Sequence, residues 1–337
     1  MLGNTMKSQL SLILAIAMYL PATVISDTDQ RPLRPVHTYS IVARDAVTGQ
    51  LGAAVQSHWF SVGSDVIWAE PGIGAVATQS FIEPSYGPLG LQLMRAGKDA
   101  DQALRALIAV DEHRDVRQVG MVDNEGVTAN HTGENAIIEH CDLMGAGFSV
   151  QANLMWKPTV CSAMVAAYES TDGDLAARMM AALDAAEGQG GDIRGRQSAA
   201  LLVVTGDARE PAWGGRVFDL RVEDHEAPLA ELRRLLVTAR AYKLMNEGDE
   251  YMTDGEVEKA ITAYRSAEAL VPDSHEMIFW HAATLAADGR IEEALPLFAK
   301  AFDLWPLWRE LVQRLPEAGL LPNDPELMKR IIAVGEK

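Results

Sequence analysis

The chain has 337 residues, 48% of them hydrophobic and 23% charged, which is the balance of a globular protein with room for two domains or one domain and an appendage. Its 29 Lys and Arg face 47 Asp and Glu, a net charge of −18, and no dense basic run interrupts that excess. Nucleic acid and anionic lipid surfaces, which need clustered cations, are thereby excluded as partners.

Lys7 precedes an apolar run at 10–20, shorter than the roughly 20 residues a bilayer span requires, and Pro21 breaks it. Val24 and Ser26 supply small residues for signal cleavage after Ser26, so 1–26 read as a signal peptide. An uncleaved anchor is the alternative. No later segment approaches transmembrane length, so the mature chain is expected to be periplasmic or secreted, of bacterial type, with no stable membrane anchor. Residues 27–37 are polar, carry Pro32 and Pro35, and read as a disordered leader.

Alternation begins at Thr38. Thr38, Ser40, Val42 and Arg44 share one face of a strand, and Tyr39, Ile41, Ala43 and Asp45 the other. A turn around Gly49 leads to a second strand at 51–59, which makes a hairpin. Residues 72–80 read as a strand covered on both faces. Two helices follow, at 87–95 and, N-capped by Asp99, at 100–110. Strands return at 116–123, 126–132 and 145–154. A second helix pair covers 158–170, with Pro158 in its first turn, and 173–187. Beyond a glycine loop at 188–196, strands occupy 197–205 and 216–224. Strands and helix pairs segregated in this way predict an α+β fold: a four-layer αββα sandwich of two mainly antiparallel sheets between helix layers. Export permits a Cys141–Cys161 disulfide, and two buried thiols fit equally well.

From about 230 the composition turns helical and repeats every 34 residues. Gly255 pairs with Gly289, Ala260 with Ala294, Tyr264 with Phe298, Ala267 with Ala301 and Pro272 with Pro306. This resembles tetratricopeptide (TPR) repeats, and 230–337 are expected to form a TPR-like array closed by a capping helix.

The runs TYSIVARDAVTGQLGAAVQSHWFSVGSDV, EPGIGAVATQS, PSYGPLGLQLM, VRQVGMVD, GRQSAALLVV and DLRVEDHEAPLAELRRL resemble the DUF1028 family over about 38–236. The resemblance implies an N-terminal-nucleophile (Ntn) hydrolase-like domain over 38–229, with a poorly defined activity. In an Ntn site the first residue supplies both the nucleophile and, through its α-amine, the base. An α-amine titrates near about 8, well placed for proton transfer around neutrality. Thr38 is the expected nucleophile, provided the His37–Thr38 bond is cut, and Ser40 is the fallback. Asn153, at a strand end, is the expected oxyanion donor, or else a helix cap; Ala152 stands where family members usually carry Gly. Arg196 is placed to clamp a substrate carboxylate, or to pin its loop by pairing with Asp192, and Ser198 lies beside both. Ser57, Thr78, Gln79 and Tyr86 are candidates to line the same mouth. The alternative for each is a buried strand or turn hydroxyl or amide.

His131, His140, Cys141 and Asp142 lie in a span that reads as loop and lacks ligand spacing, so no metal or cofactor is expected. Neither a phosphate loop nor a G-x-S-x-G elbow occurs. Two functions follow. One is an exported amidohydrolase acting on a small amide or peptide, with a tail that binds a protein partner; the other is an inactive platform whose tail does the work. A homo-oligomer suits either.

Overall fold

The computed structural model describes residues 38–209, 211 and 213–335. The signal and leader segments assigned from sequence lie outside the described residues.

Among the described residues ten strands form, all paired antiparallel, in two sheets. The first has six strands, in the order β10-β9-β2-β1-β8-β7: β1 (Thr38–Arg44), β2 (Leu51–Ser57), β7 (Cys141–Gly145), β8 (Phe148–Ala152), β9 (Ser198–Val204) and β10 (Arg216–Val222). The second has four, in the order β3-β4-β5-β6: β3 (Ile67–Glu70), β4 (Gly74–Ser80), β5 (Arg117–Asp123) and β6 (Thr128–Thr132). The predicted hairpin forms with Thr38 opposite Ser57. A four-residue helix, α1 (Val62–Asp65), links β2 to β3.

The alternation read from sequence sorts side chains into layers. Val42, Ala53 and Val55 of the first sheet meet Ala75, Ala77 and Val122 of the second, forming the inter-sheet core. On the far side of the first sheet, Tyr39, Ile41 and Val150 pack under α4 (Val160–Ser170) and α5 (Leu175–Gly188) through Met164, Tyr168, Met179 and Leu183. On the far side of the second, Val76, Val119 and Met121 pack under α2 (Tyr86–Arg95) and α3 (Ala100–Val110). The Asp99 cap is present, accepting from the Gln102 N–H at 2.7 Å. Two strands escaped the sequence reading. β3 is only four residues long, and β7 lies in the span taken as loop. Its exposed Leu143 and Met144 break the expected pattern because β7 is an edge strand.

The cysteines are bonded, Cys141 on β7 to Cys161 on α4. Thus the edge strand is tied to the helix layer above it. The chain between them spans 20 positions, and closing a loop of that length in the unfolded state is worth about 3 kcal/mol.

Further on, α6 (Pro228–Thr253) runs for 26 residues. Its first turns place Leu229, Leu232 and Leu236 in the core of the first sheet, and its later turns place Ala241 and Met245 against α7 (Val257–Leu270). α8 (His275–Ala287) and α9 (Ile291–Leu304) form the next hairpin. The turns between helices use Gly255 at φ +75 and Gly289 at φ +81, conformations that a side chain disfavours. Of the other paired repeat positions, Ala260 and Ala294, Tyr264 and Phe298, Ala267 and Ala301 are buried, and Pro272 and Pro306 are exposed. Two short helices close the chain, α10 (Trp308–Val312) and α11 (Pro325–Ala333), where one capping helix was expected. Among the described residues no helix is long and apolar enough to cross a membrane.

Two stability predictions follow from this packing. Replacing both cysteines with alanine should lower unfolding free energy by about 3 kcal/mol in urea titrations under non-reducing conditions. Near the start of β5, Arg117 and Asp111 form an ion pair at 2.8 Å with side chains only 5% and 12% exposed. Burial alone would raise the Asp111 carboxyl, but hydrogen bonds from Arg117 and the His113 N–H outweigh it and leave the net shift downward. A lowered folded pKa contributes stability above the unfolded value, lost as pH falls through the folded one. Asp111→Asn should therefore cost about 3 kcal/mol at neutral pH and much less in acid, measured by urea unfolding across pH.

Candidate functional site

At the Thr38 end of the sandwich the inter-sheet core changes from apolar to polar. Thr38, Ser40, Ser57, Gln79, Gln118, Ser149, Gln151 and Asn153 are all fully buried there. Strand alternation aims them inward, since Thr38 and Ser40 precede Val42 on one face of β1 and Gln79 follows Ala75 and Ala77 on one face of β4.

Buried amides and hydroxyls must find partners, and these find one another. Gln118 is the hub. Its Oε1 accepts from Gln79 Nε2 at 2.7 Å and from Asn153 Nδ2 at 3.0 Å. Its Nε2 donates to Thr132 Oγ1 at 2.9 Å and to the Ala152 carbonyl at 3.1 Å. Gln79 Nε2 also donates to the Thr38 carbonyl at 3.2 Å, and Gln79 Oε1 accepts from Ser40 Oγ at 2.7 Å. Ser40 Oγ in turn accepts from Gln151 Nε2 at 2.7 Å. A Cβ on Gly120 would stand 2.3 Å from Gln151 Oε1, so only glycine lets that amide lie between the sheets.

Thr38 and Asn153 are brought together. The Asn153 N–H donates to the Thr38 carbonyl at 3.1 Å, extending the β1–β8 ladder by one rung. Thr38 Oγ1 donates to Ser57 Oγ at 3.2 Å. Directly after Asn153 and Gln79, Leu154 and Ser80 adopt left-handed backbone, at φ 55 and φ 70. Strained non-glycine residues at two neighbouring strand ends are the kind of feature that clusters at functional sites.

The glycine loop closes over these strand ends. Asp192 accepts from the His58 N–H at 3.1 Å and forms a bridge to Met155, so it touches the chain just beyond both Ser57 and Asn153. Tyr39, the next residue after Thr38, donates from its hydroxyl to Glu187 Oε2 at 2.6 Å. Burial first, then the Glu187 charge, pushes the Tyr39 phenol well above its usual value and keeps it a donor. The outer side of the loop lines an open cavity of about 580 Å³ with Trp156, Glu187, Asp192, Arg194, Arg196 and Glu226.

Several expectations need correction. Arg196 pairs with Glu187, and Asp192 pairs with Arg194 at 2.7 Å, so the expected Asp192–Arg196 pair does not form. Positive φ at Gly190, Gly191 and Gly195 folds the loop so that Arg194 turns back on Asp192, a geometry sequence spacing does not encode. Thr78 faces the α2–α3 side of its sheet, where its hydroxyl donates to the Glu83 carbonyl at 3.3 Å. Tyr86 lies in that same outer core, with its hydroxyl donating to Asp111 at 3.0 Å. Ser198 stands opposite Ser57, but its Oγ accepts from the Val62 N–H and donates to the Trp59 carbonyl, which organises the turn into α1. Ser40 sits mid-strand with its hydroxyl both donating and accepting, as a tie between sheets.

This arrangement can be compared with known proteins. A family model described as "Family of unknown function (DUF1028)" matches residues 38–232, more than half of the chain. The chain belongs to the DUF1028 family. The crystal structure of a DUF1028 protein from Silicibacter pomeroyi is 29% identical, covers 60% of this chain and 89% of its own, and superposes with a TM-score of 0.54. A comparison with curated proteins finds no match. The DUF1028 match ends in the first turns of α6, so the later helices lie outside it.

Within the DUF1028 region the sequence reading missed Gln118, Ser149 and Gln151. Gln118 shares its face of β5 with Gly120 and Val122, while Ser149 and Gln151 form a wholly polar phase of β8 that alternates with Phe148, Val150 and Ala152. Uncharged polar residues at alternate positions of such strands were the signal. Gln118→Leu should remove the acceptor shared by Gln79 and Asn153 and cost about 2–4 kcal/mol in urea unfolding.

Proposed function

We propose that the chain is the precursor of an exported Ntn-type amidohydrolase, with a four-layer Ntn-like domain and a TPR-like tail that binds a protein partner. The observation that carries the catalytic reading is Thr38 at the head of β1, hydrogen-bonded to Asn153 across the strand and adjoining the loop that lines the open cavity.

Hydrolysis of the His37–Thr38 bond would give Thr38 a free α-amine. That amine takes the Oγ1 proton as Oγ1 bonds to the carbonyl carbon of a small amide or peptide. The Asn153 side-chain amide, which donates to Gln118 Oε1 here, would supply a donor to the developing oxyanion. Collapse breaks the C–N bond, the leaving amine takes the proton, and water then hydrolyses the Thr38 ester and restores the hydroxyl. Ser57, which accepts from Thr38 Oγ1, orients the nucleophile.

A second reading has its own support. Thr38 is fully buried within the network, as suits a silent domain serving as an envelope platform.

N-terminal sequencing of chain recovered from a bacterial periplasm, combined with assay against a panel of acyl-aminocoumarin amides, separates the two. The enzyme reading expects a chain beginning at Thr38 that hydrolyses a panel member. Thr38→Ser should keep part of that activity, Thr38→Ala should lower it at least about 10³-fold, and Asn153→Ala about 10²-fold. A chain beginning at Asp27 and inert toward amides supports the platform, and one beginning at Asp27 yet active overturns the α-amine as base.

A further inference from the structure

The tail contains a cavity of about 540 Å³ between α6, α7 and α8, remote in sequence from Thr38. Met245 and Met252 of α6, Tyr264 of α7, and Met277 and Trp280 of α8 form its apolar and aromatic walls. Such a volume suits one large side chain and its flanking backbone.

Two carboxylates, Asp249 and Glu276, open onto this apolar space, and no Lys, Arg or His lines it. Each is held by a tyrosine rather than by a cation. Tyr264 donates to Asp249 Oδ1 at 2.7 Å, and Tyr242 donates to Glu276 Oε2 at 2.5 Å. Burial, then the hydrogen bond to Asp249, holds the Tyr264 phenol well above its ordinary value, which keeps it a donor. Among the described residues neither carboxylate forms an ion pair. By contrast, Glu256 in the turn before α7, Glu258 on α7 and Glu293 on α9 each hold a Lys or Arg.

We infer that this cavity takes a Lys or Arg side chain, Arg preferred, from an extended segment of a partner protein. Asp249, exposed at the mouth, and Glu276, half-buried, stand beside an aromatic wall without a resident cation and make a site of negative potential, which a guanidinium satisfies by charge, hydrogen bonding and stacking on Trp280. The methionines adapt to the apolar residues that flank it. The inference rests on reading the tail as a partner-binding array, and it names the chemistry of the partner; it does not depend on the catalytic reading.

The test is isothermal titration of the full-length protein at low salt with the capped peptide Leu-Arg-Leu, its Leu-Glu-Leu counterpart, and agmatine. Binding of the Arg peptide and no heat from the Glu peptide are expected. The double variant Asp249→Asn with Glu276→Gln, which preserves both tyrosine acceptors, should weaken the Arg peptide at least tenfold. Thr253→Lys, at an exposed position on the cavity rim four residues beyond Asp249, should weaken it too by supplying an internal cation. This second variant leaves both carboxylates in place and serves if the first fails to fold by circular dichroism. Equal binding of the two peptides, or unchanged affinity in the variants, overturns the cationic assignment while leaving a partner groove standing. Silence from both peptides overturns the groove as well, and agmatine binding as tightly as the Arg peptide overturns a protein segment as the occupant.

Discussion

One glutamine amide between two sheets governs the Thr38 end of this molecule. Gln118 receives Gln79 from its own sheet and Asn153 from the opposite one, and donates to the Ala152 carbonyl across the gap. In a low-dielectric interior each of these bonds is strong, and each unmade one is costly. The sheets can therefore stack in only one register at this end, a constraint that non-directional apolar contact does not supply. The positions of Thr38 and Asn153 are consequences of that constraint.

The same constraint accounts for Gly120 and for the left-handed Ser80 and Leu154. Gly120 leaves room for the Gln151 amide, and the backbone turns sharply once each strand has delivered its amide to the network. Backbone strain at Leu154 and Ser80 is held in place by the hydrogen bonds of the residues just before them, Asn153 and Gln79.

Period-two alternation made β1 legible, whereas β2, β4 and β9, buried on both faces, were legible as short runs of small and apolar residues bounded by turns. β7 was not legible, since an edge strand with one exposed face and a disulfide at its end carries no such pattern. The candidate site was legible in its backbone parts, Thr38 and Asn153 at strand ends, where position on the chain decides. It was not legible in its side-chain pairings. Which arginine meets which acid in the 188–197 loop depends on three glycine torsions, and which hydroxyl faces which layer at Thr78 or Tyr86 depends on a phase that one residue inverts. The helical repeat lay at the other extreme: its glycines, alanines and aromatics recur because the same helix contact recurs, so spacing alone located them.

The length of α6 has a mechanical consequence. At about 1.5 Å per residue it is a rod of about 40 Å, with Leu232 and Leu236 embedded under the first sheet and Met245 and Asp249 forming one bank of the tail cavity. That bank is anchored in the hydrophobic interior of the sandwich and cannot swing without unseating it. Any widening of the cavity would then fall to α8, which follows α7 through the turn at 271–274. A pull on an occupant of the cavity would be delivered through α6 into the sandwich as axial load rather than dissipated in a flexible joint.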